Sequence, residues 1–134
     1  MQQVVDLLVL HGIRPSLQRI AVLGYLLENR THPTVDEIFL ALSPSMPTLS
    51  KTTVYNVLKN LVDNNVILAL NIDDKNIRYD ACVDDHSHLK CEICNKVFDI
   101  PQPILDSNSL CAYKINRLHI YCWGICPECD NDMN

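Results

Sequence analysis

Residues 50–65, SKTTVYNVLKNLVDNN, have two unlike faces once they are wound as a helix. Val54, Val57, Leu58, Leu61 and Val62 recur at i, i+3, i+4 and i+7, which gathers them on one side and marks that side for a core. Lys51, Thr52, Tyr55, Asn56 and Lys59 fall on the other, a mixture of cations, hydroxyls and an amide around one ring. Such groups suit phosphate oxygens and base edges in a major groove. On an isolated helix the same stripe is more often a solvated face, so the residues downstream of it decide. VILALNID and IRYDACV are β-rich runs around the turn DKN, and helices closed by such a hairpin make a winged helix-turn-helix that binds DNA.

Upstream, apolar residues keep helical spacing in VVDLLVL and again in IAVLGYLL, with Gly12 and Pro15 between them. In THPTVDEIFLAL, Thr34 and Glu37 stand in the capping-box relation, which starts a third helix near Thr34; the proline-rich SPSMP ends it. The helix on 50–64 is then the fourth. Beyond residue 80 the pattern changes to strands, in HSHLKCEIC, KVFDI and the long AYKINRLHIYCW, with a short helix in PILDSNSL. The expected organisation is α+β: a winged-helix DNA-binding domain over 1–80, a hinge at about 80–84 without a Gly/Ser linker, and a small α/β domain over 84–134.

Seven cysteines are an odd number, and four of them form Cys91-x-x-Cys94 and Cys126-x-x-Cys129. Two CxxC pairs about thirty residues apart match a four-thiolate zinc site, closed to water and structural; an iron–sulfur cluster is the alternative. Cys82, Cys111 and Cys122 lie singly on apolar runs and read as core fillers. The amino terminus carries no basic leader, and no apolar run reaches the roughly 18 residues a membrane span needs. A reducing cytoplasm is the expected location, where paired cysteines hold metal.

The net charge of -5 argues mildly against nucleic acid, but it is unevenly spread. Through Asp80 there are seven Lys/Arg against eight Asp/Glu, and beyond it four against eight. The acidic surplus therefore lies with the cysteines, where metal cations offset it, and the first half stays eligible for DNA.

With Cys91 and Cys94 assigned to zinc, His86 and His88 remain, two apart on a strand and so on one face, beside Asp84 and Asp85. Imidazoles with carboxylates suit a harder ion than thiolates do, Fe²⁺ or Mn²⁺, with Zn²⁺ a competitor. A lone surface histidine carries no such meaning; the HxH beside two aspartates does.

Taken in order, GIRPSLQRIAVLGYL, HPTVDEIF, TTVYNVLKNLVDNNVI, RYD, HSHLKCEICNKVFDI and WGICPEC resemble the ferric uptake regulator (Fur) family of bacterial metal-dependent repressors over nearly the whole chain. The resemblance implies a dimer that reads a palindromic operator, with Cys91, Cys94, Cys126 and Cys129 on structural zinc. It places His32, Asp80, His86, His88 and Asp99 on the regulatory ligands, and Tyr55 on the recognition-helix tyrosine. Iron sensors of the family commonly carry Glu at the place of Asp99 and often His at that of Asp85. Aspartate at both 80 and 99, with Asn56 after the tyrosine, is most similar to the peroxide-responsive branch (PerR), in which ligand histidines become oxidised; the matching rings are His32 and His86. An iron, manganese or zinc uptake regulator is the neighbouring alternative. The chain departs from the family in a shortened segment between Asp99 and Tyr113, in Leu118 where a further ligand histidine often stands beside the place of His119, and in a short amino terminus without a basic arm.

Two readings from other classes compete. A small zinc metallohydrolase would use the same two His and two Asp with an open metal position, but no separate general base or pocket-forming domain accompanies them, and an enzyme is not expected. A zinc-ribbon interaction module explains the cysteines and leaves His32, Asp80 and the polar helix face unused.

Overall fold

The structure, a computed structural model, describes residues 1–84, 86–100, 112–116 and 118–133. The chain divides into two compact units, Met1–Val83 and Asp84–Asn134.

The first unit opens with three helices, α1 (Gln2–Leu10), α2 (Leu17–Glu28) and α3 (Val35–Leu42). The helix on SKTTVYNVLKNLVDNN is α4 (Lys51–Asp63), and a hairpin of β1 (Leu68–Leu70) and β2 (Arg78–Asp80) comes after it. Each helix from α2 to α4 begins on a hydroxyl cap: Ser16 Oγ accepts from Arg19 N, Thr34 Oγ1 from Glu37 N, and Ser50 Oγ from Thr53 N. The helix ends are equally local. After α1, Gly12 at φ 74° lets Ile13 N reach back to Leu8 O, and after α4, Asn65 at φ 61° does the same for Val66 N and Leu61 O. Both reversals drive a buried aliphatic, Ile13 or Val66, into the core.

That core is one cluster to which all four helices contribute, together with Val66 and Ile67, which lead into β1, and Tyr79 of β2. Val54, Val57, Leu58 and Leu61 of α4 are buried as the periodicity demands, while Val62 lies at the margin. The opposite stripe, Lys51, Thr52, Tyr55, Asn56 and Lys59, is exposed.

The second unit is a three-stranded sheet in the order β4-β3-β5, built from β3 (Ser87–Cys91), β4 (Val97–Ile100) and β5 (Tyr121–Gly124), with α5 (Pro127–Met133) after it. β3 pairs antiparallel with β4 and parallel with β5. Several expectations are corrected here. Among its described residues AYKINRLHIYCW is strand only from Tyr121 on, and Tyr113, Ile115 and Leu118 stand exposed. Cys82 and Cys122 are half-buried, not core fillers. His86 precedes β3 instead of lying on it. The helix expected in PILDSNSL, the shortened segment after Asp99, Asp85 and Cys111 lie outside the described residues. The terminal helix α5, with Pro127 at its first position, is an addition to the expected elements.

Candidate metal centres

The four paired cysteines come together in the second unit. Their sulfurs lie within 4.8 Å of one another, with Cys94 Sγ 3.9 Å from Cys126 Sγ. A tetrahedral ion with Zn–S bonds of about 2.3 Å separates its sulfurs by roughly 3.8 Å, so the cluster has the size a four-thiolate zinc requires. Two turns build it. After β3, Asn95 at φ 63° and the bond from Asn95 N to Cys91 O fold the first knuckle; in the second, Cys126 N donates to Cys91 Sγ at 3.4 Å.

The thiols are electrically unequal. Backbone N–H groups, that of Cys94 first and then that of Cys126, hold the Cys91 thiol down at about 6. Cys129 is pushed up to about 12, first by its bond with the Cys126 sulfur and then by burial. Metal-free, the cluster thus favours a thiolate at Cys91 and a thiol at Cys129, because the Cys129 S–H is bonded to the Cys126 sulfur and buried. A divalent cation favours the thiolate at each sulfur, and the donor set fits zinc.

Histidines and aspartates are also neighbours within each unit. In the first, His32 sits in the connection between α2 and α3, in the left-handed conformation at φ 57°. Tyr79 N donates to Pro33 O at 3.0 Å, which lays this connection against β2 and sets His32 beside Asp80. His32 Nε2 lies 3.4 Å from Asp80 Oδ2, and both side chains are 3% exposed. Asp80 Oδ1 also accepts from Cys82 N at 2.9 Å, which fixes the carboxylate plane. Burial with the Tyr55 phenol nearby raises the Tyr79 phenol above its ordinary value, burial being the larger cause.

In the second unit, register places His88 opposite Asp99 across β3 and β4. His88 Nε2 and His86 Nε2 lie 3.3 and 3.1 Å from the same Asp99 Oδ1, with the two rings 4.3 Å apart. The Asp84 carbonyl engages His86 Nδ1, leaving Nε2 toward the carboxylate. Imidazole nitrogens converging on one carboxylate oxygen are what a ligand set looks like, and nitrogen with oxygen suits Fe²⁺ or Mn²⁺. In each unit the residues that the sequence singled out as regulatory ligands are neighbours.

The sequence reading missed the network behind His32. Arg78 binds the His32 carbonyl, Asp73 and Glu37 together, and Asp36 of α3 lies 3.2 Å from Lys51 Nζ, which also stands 5.9 Å over the Phe39 ring. Arg78 and its bonded partners Asp73 and His32 lie 5 and 46 residues apart along the chain, and no short motif announces them.

The model of the ferric uptake regulator family matches residues 11–121. The peroxide-responsive repressor PerR of Staphylococcus epidermidis (strain ATCC 12228 / FDA PCI 1200) is 36% identical over 130 residues, covering 92% of this chain and 85% of that protein. Its counterpart in Staphylococcus aureus (strain Mu50 / ATCC 700699) is 38% identical over 127 residues, covering 90% and 84%. Among solved structures, PerR from Streptococcus pyogenes, described for peroxide sensing and gene regulation, matches with a TM-score of 0.55 at 33% identity over 95% of this chain and 90% of its own. Helicobacter pylori Fur, described as having three functional metal-binding sites, matches with a TM-score of 0.75 over 96% and 90%; at 22% identity that likeness is one of fold.

Proposed function

Because this chain belongs to the ferric uptake regulator family, we propose that it is a metal-dependent DNA-binding repressor that responds to peroxide through the ligands of its regulatory ion. The observation that carries the reading is the pairing of histidine with aspartate in each unit: His32 with Asp80 in one, His86 and His88 with Asp99 in the other. These five residues would hold one Fe²⁺ or Mn²⁺, while Cys91, Cys94, Cys126 and Cys129 hold structural zinc. Ligands drawn from both units tie the orientation of the DNA-binding unit to metal occupancy, and with it the spacing of two recognition helices across a homodimer. Lys51, Thr52, Tyr55, Asn56 and Lys59 on the exposed face of α4 would meet a palindromic operator. The thiolates require a reducing compartment, the cytoplasm; among the described residues no helix is long and apolar enough to cross a membrane.

Bound Fe²⁺ supplies the one-electron chemistry that turns peroxide into an oxidant, which Mn²⁺ does not readily supply. His32 and His86 would take the oxygen, and an oxidised ring is a poorer donor, so the two units lose their common anchor. The test combines operator binding by the zinc-loaded protein with Fe²⁺ or Mn²⁺, each with and without mild peroxide, and mass spectrometry of the same samples. One added oxygen on a His32 or His86 peptide is expected with Fe²⁺ only, together with loss of operator binding. Unmodified histidines with binding intact make the chain an iron or manganese uptake regulator; oxidation confined to cysteines and reversed by a thiol reductant makes the sensor a thiol.

A further inference from the structure

We propose that Arg78 is a positioning residue for the His32–Asp80 pair, holding the ligand turn through Asp73 of the hairpin; this rests on the regulatory reading of that pair. Arg78 lies two residues before Asp80 in β2 and coordinates nothing itself in this assignment. Its guanidinium joins three separate places. Nε and Nη2 donate to Asp73 Oδ2 at 3.3 and 3.2 Å, Nη1 donates to the His32 carbonyl at 3.4 Å, and Nη1 also lies 3.7 Å from Glu37 Oε1 in the first turn of α3.

The turn it holds has reason to be held. His32 is not glycine, yet it sits at φ 57°, an uphill conformation that persists only where its surroundings fix it. Arg78 binds the carbonyl of that very residue, and Tyr79 N binds the next carbonyl, of Pro33. The far end of the brace is firm as well, since Asp73 Oδ1 accepts from Lys75 N at 3.0 Å and so closes the hairpin turn on itself. With Arg78 and Asp73 side chains only 12% and 8% exposed, solvent screens their pair far less than a surface bridge.

A planar fork is needed for this task. Lysine keeps the charge but offers a point donor that cannot span Asp73 and the His32 carbonyl together. If the brace sets the His32 imidazole against Asp80, loosening it lowers affinity for the regulatory ion without removing a ligand. Partners outside the ligand set commonly change metal affinity by about 10- to 100-fold.

The experiment uses the zinc-loaded full chain and three variants, Arg78→Lys, Asp73→Asn and the double substitution. Asp73→Asn preserves volume and turn acceptor, so it carries the test if Arg78→Lys folds poorly. Mn²⁺ affinity is expected to fall by on the order of tenfold in each single variant, with little further loss in the double, because both remove one brace. Amide exchange at Tyr79, whose N–H reports the tie to Pro33, is expected to quicken in the same variants while Leu26 and Leu58 in the helical core keep their protection. Mn²⁺ affinity within about twofold of the wild type, additive losses, or unchanged Tyr79 exchange overturns the proposal. A wild-type chain that takes up no ion beyond zinc defeats the regulatory reading instead, and Tyr79 exchange then decides alone whether Arg78 holds the turn.

Discussion

The two units are stabilised by different means. The first buries fifteen residues in one cluster running from Val4 to Tyr79. In the second, the buried apolar residues among those described are Cys91, Val97 and Cys126, and two of the three are zinc-site cysteines. A segment of about fifty residues is small enough for its core to be marginal, so a cross-link contributes a large share of its stability. Hydrophobic burial shapes the first unit, and the four-cysteine cluster supplies most of the apolar burial among the described residues of the second. The same division places the acidic surplus beyond Asp80, where cations belong.

The contrast breaks first at zinc. Cys91→Ser or Cys126→Ser removes binding free energy on the order of 10 kcal/mol or more, so the second unit and the dimer should be lost while the helices of the first still melt cooperatively. Circular dichroism with sedimentation checks this, and a stable zinc-free dimer would refute it. Acid acts at the same place. Because the ion holds thiolates and protons compete for the same sulfurs, zinc should be released as pH falls, not as it rises.

Leu58→Ala is the mirror experiment. Leu58 is fully buried in α4, and truncation should cost about 2–5 kcal/mol of the first unit's stability with zinc content unchanged. Loss of zinc in this variant would show that the units do not stand on separate foundations.

A smaller change sharpens the comparison at the ligands. His32→Ala in the first unit and His88→Ala in the second should each weaken the regulatory ion by at least about tenfold and abolish metal-dependent operator binding, leaving zinc and dimerisation intact. Titration of Mn²⁺ into zinc-loaded protein measures both. If one of the two loses nothing, the ion is held by a single unit and the coupling between them fails.

The least effect is expected at Asp36. Its bridge to Lys51 is well exposed on both sides, worth about 0.2–1 kcal/mol, so Asp36→Asn should tighten DNA binding no more than about fivefold, with a steeper salt dependence. Lys51→Ala should cancel the gain. A loss of affinity would mean that Asp36 orders Lys51 for DNA instead of competing with it.

The sequence alone determined what depends on neighbours a few residues away. The cap at Thr34, the apolar stripe of α4 and the CxxC spacing are local, and each acts between residues a few positions apart. The sequence also named His86 and His88, from an HxH expected on one strand although only His88 lies on β3, and Asp99 through the family resemblance. What only the tertiary structure decided is register. Nothing local tells that Tyr79 binds Pro33, that His32 therefore meets Asp80, or that Arg78 reaches 46 residues back to the His32 carbonyl. Nor does apolar patterning show that, among the described residues of AYKINRLHIYCW, a strand partner is found only from Tyr121 on. Long-range pairing is chosen by packing of the whole unit, and it writes no spacing into the chain that a reader can find.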